Sequence, residues 1–344
     1  MPYRPCHNPR QTGARPALSG RRRLARSTRN RLAALSVFVA AFTGLVFPAA
    51  AADTPVVVTS IKPVNSLVAA VMQGVAKPYL IVKGAASPHT AALKPSDATA
   101  LSQAAAVFWI GPEFENFLIK PISSLGSKAD VVELWDAPNV QKLRNRSGGM
   151  FEAEVEQHAG GAKDADEAHG DNPYDKHVWL DPQNAAAMTQ TIAATLAKVD
   201  PDHAVIYHKN ADAYVQRLVA LGADVRQLLS VKTRKPFIVF HDAYQYFEHR
   251  FDIPAVGSIT ISPEKAPGAA RLREIRAKLQ SLGAACVFTE PEFPPRLVET
   301  VTRGTNVSIG VMDPLGAALK DGPDLYPQLV RNIAVSLEDC FDGK

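Results

Sequence analysis

His241 directly follows the apolar strand run Phe237–Phe240, and His89 lies just past the run Tyr79–Val82, in Ala85-Ala-Ser-Pro-His-Thr90. Asp313 follows the run that ends at Met312, ahead of Pro314-Leu-Gly316. In open α/β sheets, ligands bind in the crevice beyond the carboxyl ends of the strands. Imidazole and carboxylate groups gathered at that edge from two lobes can converge on one metal ion, with His177 as the first-lobe partner of His89. Zinc suits such a set, because imidazole nitrogens are borderline ligands and a tetrahedral site takes three of them plus one further donor. Taken singly, each histidine is better explained as a solvated or core side chain, and only the set of them points to a metal. His203 and His208 fall on an expected helix and His249 follows Phe247-Glu248, so these three are expected to be solvated or capping. The chain has no Walker loop, no dinucleotide fingerprint, no nucleophile elbow and no H-E-x-x-H pair.

The elements that position these groups alternate strand and helix. Val56–Ile61 is a continuous apolar and β-branched run, as a parallel strand buried on both faces would be. Helical spacing over Pro63–Met72 follows, then strand runs at Tyr79–Val82, Ala106–Ile110 and Val131–Leu134, with a helix over Ala98–Ala105. His177–Asp181 reads as a short strand, after which Asp181 caps a helix that has Pro182 at its first position. Two helical stretches follow, Pro182–Lys198 and Pro201–Ser230. The second is long enough to join two domains. Strand runs then resume at Pro236–Phe240, Ala255–Ile259, Ala285–Thr289 and Val307–Met312, with helices over Tyr244–Arg250, Ala269–Ser281 and Arg296–Arg303, and Asp242 placed to cap the first of them. Repeated βα alternation predicts an α/β fold of two lobes, each with a mostly parallel sheet flanked by helices, joined by one long rigid helix. The expected division is 53–200 for the first lobe, 201–230 for the connector and 231–344 for the second lobe.

Length and charge narrow the class. The chain has 344 residues, is 46% hydrophobic and 21% charged, and carries a formal net charge of +4. That charge is misleading, because residues 1–52 hold nine arginines and no acid, leaving 29 basic against 34 acidic residues and a net of −5 elsewhere. Global charge therefore gives no argument for nucleic-acid binding. The arginine-rich start runs into the apolar stretch Leu32–Val46, then Phe47-Pro48 and Ala50-Ala-Ala52, the pattern of an export signal cleaved after Ala52. The apolar stretch is about 15 residues, short of the roughly 20 that span a bilayer. No cysteine stands at the cleavage site for a lipid anchor, so an exported, unanchored protein is expected, with the twin-arginine route left open by Arg21-Arg22-Arg23. Cys286 and Cys340 remain after export; an even pair in an oxidising compartment favours a disulfide over two buried thiols.

Residues 148–176 differ in character. Glu152, Glu154, Glu156, Asp164, Asp166, Glu167, Asp171 and Asp175 mingle with His158, His169 and glycines, with almost no apolar periodicity. A solvated, mobile acidic loop is expected there.

Several segments together resemble one family. Ser87-Pro-His89, Leu93-Lys-Pro-Ser-Asp97, Trp109-Ile-Gly-Pro-Glu113, His177-Val-Trp-Leu-Asp-Pro182, Phe240-His-Asp-Ala-Tyr244, Cys286-Val-Phe-Thr-Glu-Pro291 and Met312-Asp-Pro-Leu-Gly316 look like the ZnuA-type periplasmic zinc receptors of bacterial ABC importers, relatives of which receive manganese or iron. The match runs in order from about Val56 to Cys340 and includes the late cysteine pair. The resemblance implies two α/β lobes on a rigid long helix, Zn2+ between them, and delivery to a membrane permease subunit. It also implies that His89, His177 and His241 are the metal ligands, and an acidic, histidine-bearing loop at 148–176 is a feature of the family. Manganese and iron relatives place Glu where His241 stands, so the third imidazole favours zinc. Some zinc members carry Glu immediately before the first histidine, where this chain has Pro88. The fourth donor is left to Asp313, a water or a loop histidine (His158 or His169), in that order.

The reading is thus a non-catalytic zinc carrier, monomeric and periplasmic, with no nucleic-acid partner. Two alternatives stand beside it: a manganese or iron receptor of the same family, and an exported zinc hydrolase, since three histidines and a bound water also describe a catalytic site. The second lacks an evident general base beside the ligands.

Overall fold

Runs of Val, Ile and Phe too short for helices form two parallel sheets in the computed structural model, which describes residues 54–146, 173–230, 234–260, 263, 267–281, 283 and 285–343. The first sheet contains β1 (Val57–Thr59), β2 (Tyr79–Leu80), β3 (Ala106–Trp109) and β4 (Asp130–Glu133) in the order β2-β1-β3-β4. The second contains β5 (Phe237–His241), β6 (Ser258–Thr260), β7 (Cys286–Thr289) and β8 (Ser308–Val311) in the order β6-β5-β7-β8. All pairings are parallel. The same topology is therefore built twice. In each sheet the strand order reverses beside the first strand, and that switch point opens a crevice at the carboxyl ends. Every residue of β1, β3 and β5 is buried, as both-face coverage requires, whereas the edge strands β4 and β8 alternate between half-buried and exposed.

Nine helices cover these sheets among the described residues: α1 (Lys62–Val71), α2 (Pro95–Gln103), α3 (Ile119–Leu125), α4 (Pro182–Val199), α5 (Ala204–Ser230), α6 (Gln245–Phe251), α7 (Ala269–Ser281), α8 (Arg296–Thr302) and α9 (Leu325–Asp342). In β5 the strand period of two sends Phe237 and Val239 into the larger core and Ile238 and Phe240 into a second cluster with Ile259, Ile275 and Leu279. The larger core is continuous from β1 and α1 through α4 and α5 to α9. At 27 residues, α5 is about 40 Å long. Its buried face, Tyr207, Ala211, Tyr214, Leu218, Leu221, Val225 and Leu229, has the spacing of three and four that keeps one stripe inward.

Two hydrogen bonds from Asn210 Nδ2 to the carbonyls of Val71 (2.9 Å) and Gln73 (2.8 Å) fix this helix against the end of α1. Helix α9 carries no glycine or proline break after Pro327 and adds a helix beyond those that the sequence analysis expects. It packs on α1 and α5, where the Tyr326 backbone N–H donates to Ser66 Oγ at 3.0 Å and the Tyr326 hydroxyl to the Trp179 carbonyl at 2.6 Å. Cys286 of β7 and Cys340 of α9 are joined as a disulfide. No helix among the described residues is long and apolar enough to cross a membrane.

Three local expectations change. His177–Asp181 is not a strand: Val178–Leu180 form one turn of 3-10 helix, fully buried, because Asp181 already caps α4 by accepting the Gln183 N–H at 2.8 Å. Helix α2 starts at Pro95 and not Ala98, since the Asp97 carboxylate accepts the Lys94 N–H at 2.8 Å and so begins the helix three residues earlier. Asp242 does not cap α6; it pairs with Arg146, and α6 starts after Tyr244. The leader 1–52, His158 and His169 lie outside the described residues.

Candidate metal centre

His241 ends β5 at the switch point of the second sheet, and Glu290, directly after β7, stands beside it. The Glu290 carboxylate bonds His241 Nδ1 at 2.6 Å and accepts the Tyr244 hydroxyl at 3.2 Å. His177 sits one residue before the buried 3-10 turn, and its Nδ1 meets Asp175 Oδ1 at 2.7 Å. Asp175 is held in turn by its own carbonyl, which accepts the Tyr246 hydroxyl at 2.7 Å. His89 follows β2 in a turn where its N–H donates to Ser87 Oγ at 3.3 Å, and its ring lies edge-on to Phe114 with centroids 4.9 Å apart.

One nitrogen from each of His89, His177 and His241 lies within 4.8 Å of the others. His177 Nε2 and His241 Nε2 are 3.3 Å apart. With Nδ1 of each ring bonded to a carboxylate, neutral imidazoles turn two Nε2 lone pairs toward one another. Such a contact is stable only around a positive charge, a shared proton or a metal ion. A zinc ion with Zn–N bonds of about 2.05 Å holds its tetrahedral ligands about 3.3–3.4 Å apart. The residues present therefore fit a zinc-sized cation.

Burial disfavours the His241 imidazolium, yet the Glu290 carboxylate beside it, with Asp242 and Asp175 further off, outweighs burial and raises its pKa above 6.5. Phe114, Trp179 and Phe293 form apolar walls around the cluster, and Pro314 is drawn in by the Trp179 indole N–H, which donates to its carbonyl at 2.9 Å. Such walls keep the local dielectric low and strengthen the charge interactions inside.

The structure brings three of the four expected ligands together. Asp313 is placed differently: Oδ1 accepts the N–H groups of Leu315 (2.9 Å) and Gly316 (2.7 Å), and Oδ2 that of Ala317 (2.7 Å). It caps the turn in which Gly316 takes φ +73°, a left-handed conformation suited to glycine. Asp175, expected in a solvated loop, is buried at 6% exposure and orients His177. Its position two residues before a candidate ligand is the signal that marks it. Glu290 carried a weaker signal, visible only once β5 and β7 are known to be neighbours.

Glu292 lines the same pocket, and its two carboxylate oxygens are buried without a hydrogen-bond partner. Burial, then the nearby negative charges of Asp313 and Glu290, push its pKa up to about 9.

A family profile described as zinc-uptake complex component A, periplasmic, matches residues 57–340. The chain belongs to this family. Among its relatives, the high-affinity zinc uptake system protein ZnuA of Brucella abortus (strain 2308) is 53% identical over 325 residues, 89% of this chain and 96% of the relative. The protein of the same description from Yersinia pestis is 35% identical over 291 residues, covering 83% and 91%. The fold is shared with the periplasmic zinc binding protein TroA from Treponema pallidum, at a TM-score of 0.69 and 21% identity over 84% of this chain and 99% of that one. Two parallel four-stranded sheets flanked by helices are thus a fold this chain shares with solved structures as well as with its family. The expected fold class and family are borne out.

Proposed function

We propose that the chain captures Zn2+ in the periplasm and delivers it to the membrane permease subunit of a zinc ABC importer, holding the ion through His89, His177 and His241. The opposed Nε2 atoms of His177 and His241, 3.3 Å apart and each backed by a carboxylate on Nδ1, carry this reading. Three nitrogen donors favour zinc over manganese, which prefers harder oxygen ligands. His89 and His177 precede the long helix and His241 follows it, so an ion held by all three joins the two lobes. The reading includes a leader removed after Ala52, lobes at 53–200 and 231–344 with 201–230 between them, a monomeric unanchored carrier, and loop histidines His158 and His169 as accessory metal contacts. Its chemistry is reversible binding without turnover.

The test is competitive metal titration of the purified protein against a zinc chelator, with His89→Ala, His177→Ala and His241→Ala alongside. One tight equivalent of zinc that outcompetes manganese and is lost in each variant is expected. Binding that survives all three changes, or prefers manganese, overturns the ligand set. Turnover of ester or phosphoester substrates by the zinc-loaded protein would favour a hydrolase.

A further inference from the structure

Three imidazoles leave a zinc-sized cation one donor short of a tetrahedral set. Resting on the metal-site reading above, we propose that Glu292 supplies that donor: its carboxylate swings into the pocket and closes the site when the ion binds. The pocket wall formed by Glu290, Glu292 and Phe293 follows β7, at the sheet switch point. Of the acidic groups around it, Glu290 is committed to His241 Nδ1 and the Tyr244 hydroxyl. Asp313 is committed through both oxygens to three backbone N–H groups. Rotating Asp313 inward would leave those three N–H groups without their acceptor, so its present role opposes its use as a ligand.

Neither Glu292 oxygen has a partner at full hydrogen-bond geometry, although both are buried; its one polar neighbour is the Asp313 carboxylate, a contact that costs little to give up because two carboxylates repel when both are charged. An uncommitted buried carboxylate is rare, since buried polar groups are ordinarily satisfied. It stands outside the set of nitrogens that lie within 4.8 Å of one another, so it reaches the ion by rotation of its three side-chain torsions. Proximity to two other acidic groups, Glu290 and Asp313, makes a cation the natural partner for its charge. The imidazoles supply the nitrogen preference and Glu292 one oxygen, a donor set that is neutral but for a single charge.

The experiment compares the protein with Glu292→Gln, Asp313→Asn and His241→Ala, using chelator competition with Zn2+ and the visible spectrum of the Co2+ form. Removing even an outer partner of a zinc ligand costs about 10–100-fold in affinity, so loss of a donor should cost about tenfold or more. Glu292→Gln is expected to keep one equivalent with that loss and to change the Co2+ d–d bands, with an unchanged melting temperature of the metal-free protein. Asp313→Asn is expected to lower that melting temperature while leaving the Co2+ bands as they were. A Glu292→Gln protein with unaltered affinity and spectrum overturns the proposal, as does a spectral change found in Asp313→Asn alone. If His241→Ala also binds zinc like the parent, the metal-site reading fails and this proposal falls with it.

Discussion

His177 Nε2 and His241 Nε2 face one another at 3.3 Å, one held from behind by Asp175 and the other by Glu290. The two rings come from opposite sides of the long helix in the sequence, and each carboxylate selects the tautomer that aims Nε2 at the other. A cation between them removes a lone-pair conflict that the carboxylates create. The carboxylates are therefore as much part of the centre as the imidazoles.

Glu290→Gln and Asp175→Asn should each weaken zinc binding by about 10–100-fold, since each removes the charge that makes its imidazole a better donor. Stoichiometry should stay at one. Chelator competition measures both, and an unchanged affinity in both variants would remove the carboxylates from the centre.

Zinc affinity should fall with acidity earlier than an ordinary imidazole would dictate. The pKa of His241 is raised, despite burial, by Glu290. A proton therefore competes with the metal from above pH 6.5 downward. For the metal-free protein the sign is opposite. A raised folded pKa gives stability that is complete below the unfolded value and lost as pH rises through the folded one. Titrations between pH 5.5 and 8 should show zinc-induced stabilisation growing with pH, with its onset moved to lower pH in Glu290→Gln.

Glu115 supplies a second pH effect, away from the metal. Its carboxylate accepts the N–H groups of Ile110 (3.1 Å) and Gly111 (3.0 Å) after β3, yet burial pushes its pKa up to about 7. The stability it contributes is fully present below its unfolded value of 4.5 and is lost as pH rises through about 7. The loss amounts to about 3 kcal/mol. Urea midpoints at pH 5 and pH 8 should differ less in Glu115→Gln than in the parent.

Reducing the Cys286–Cys340 bond opens a loop of 54 residues and should cost about 4 kcal/mol by chain entropy. The melting temperature with and without reductant reads this. Zinc affinity should be little changed, because the bond ties β7 to α9 and touches none of the three histidines.

The sequence alone determined the strand and helix alternation, the long connecting helix and the three histidines. The elements rest on local signals, a β-branched run and a stripe of apolar residues three and four apart; His89 and His241 follow strand runs, and the full set with His177 rests on the family resemblance. Asp181 was legible as a cap for the same reason, its partner lying two residues away. Only the tertiary structure decided which carboxylates serve the centre. It turned Asp313 to its own backbone, fixed Asp175 against His177, and brought Glu290 to His241 across 49 residues of chain. It also laid the last helix across α1 and α5. A strand run is set by the residues within it, but the partner of a hydrogen bond is set by which strands become neighbours. That choice follows from packing the whole core, and no local stretch of sequence contains it.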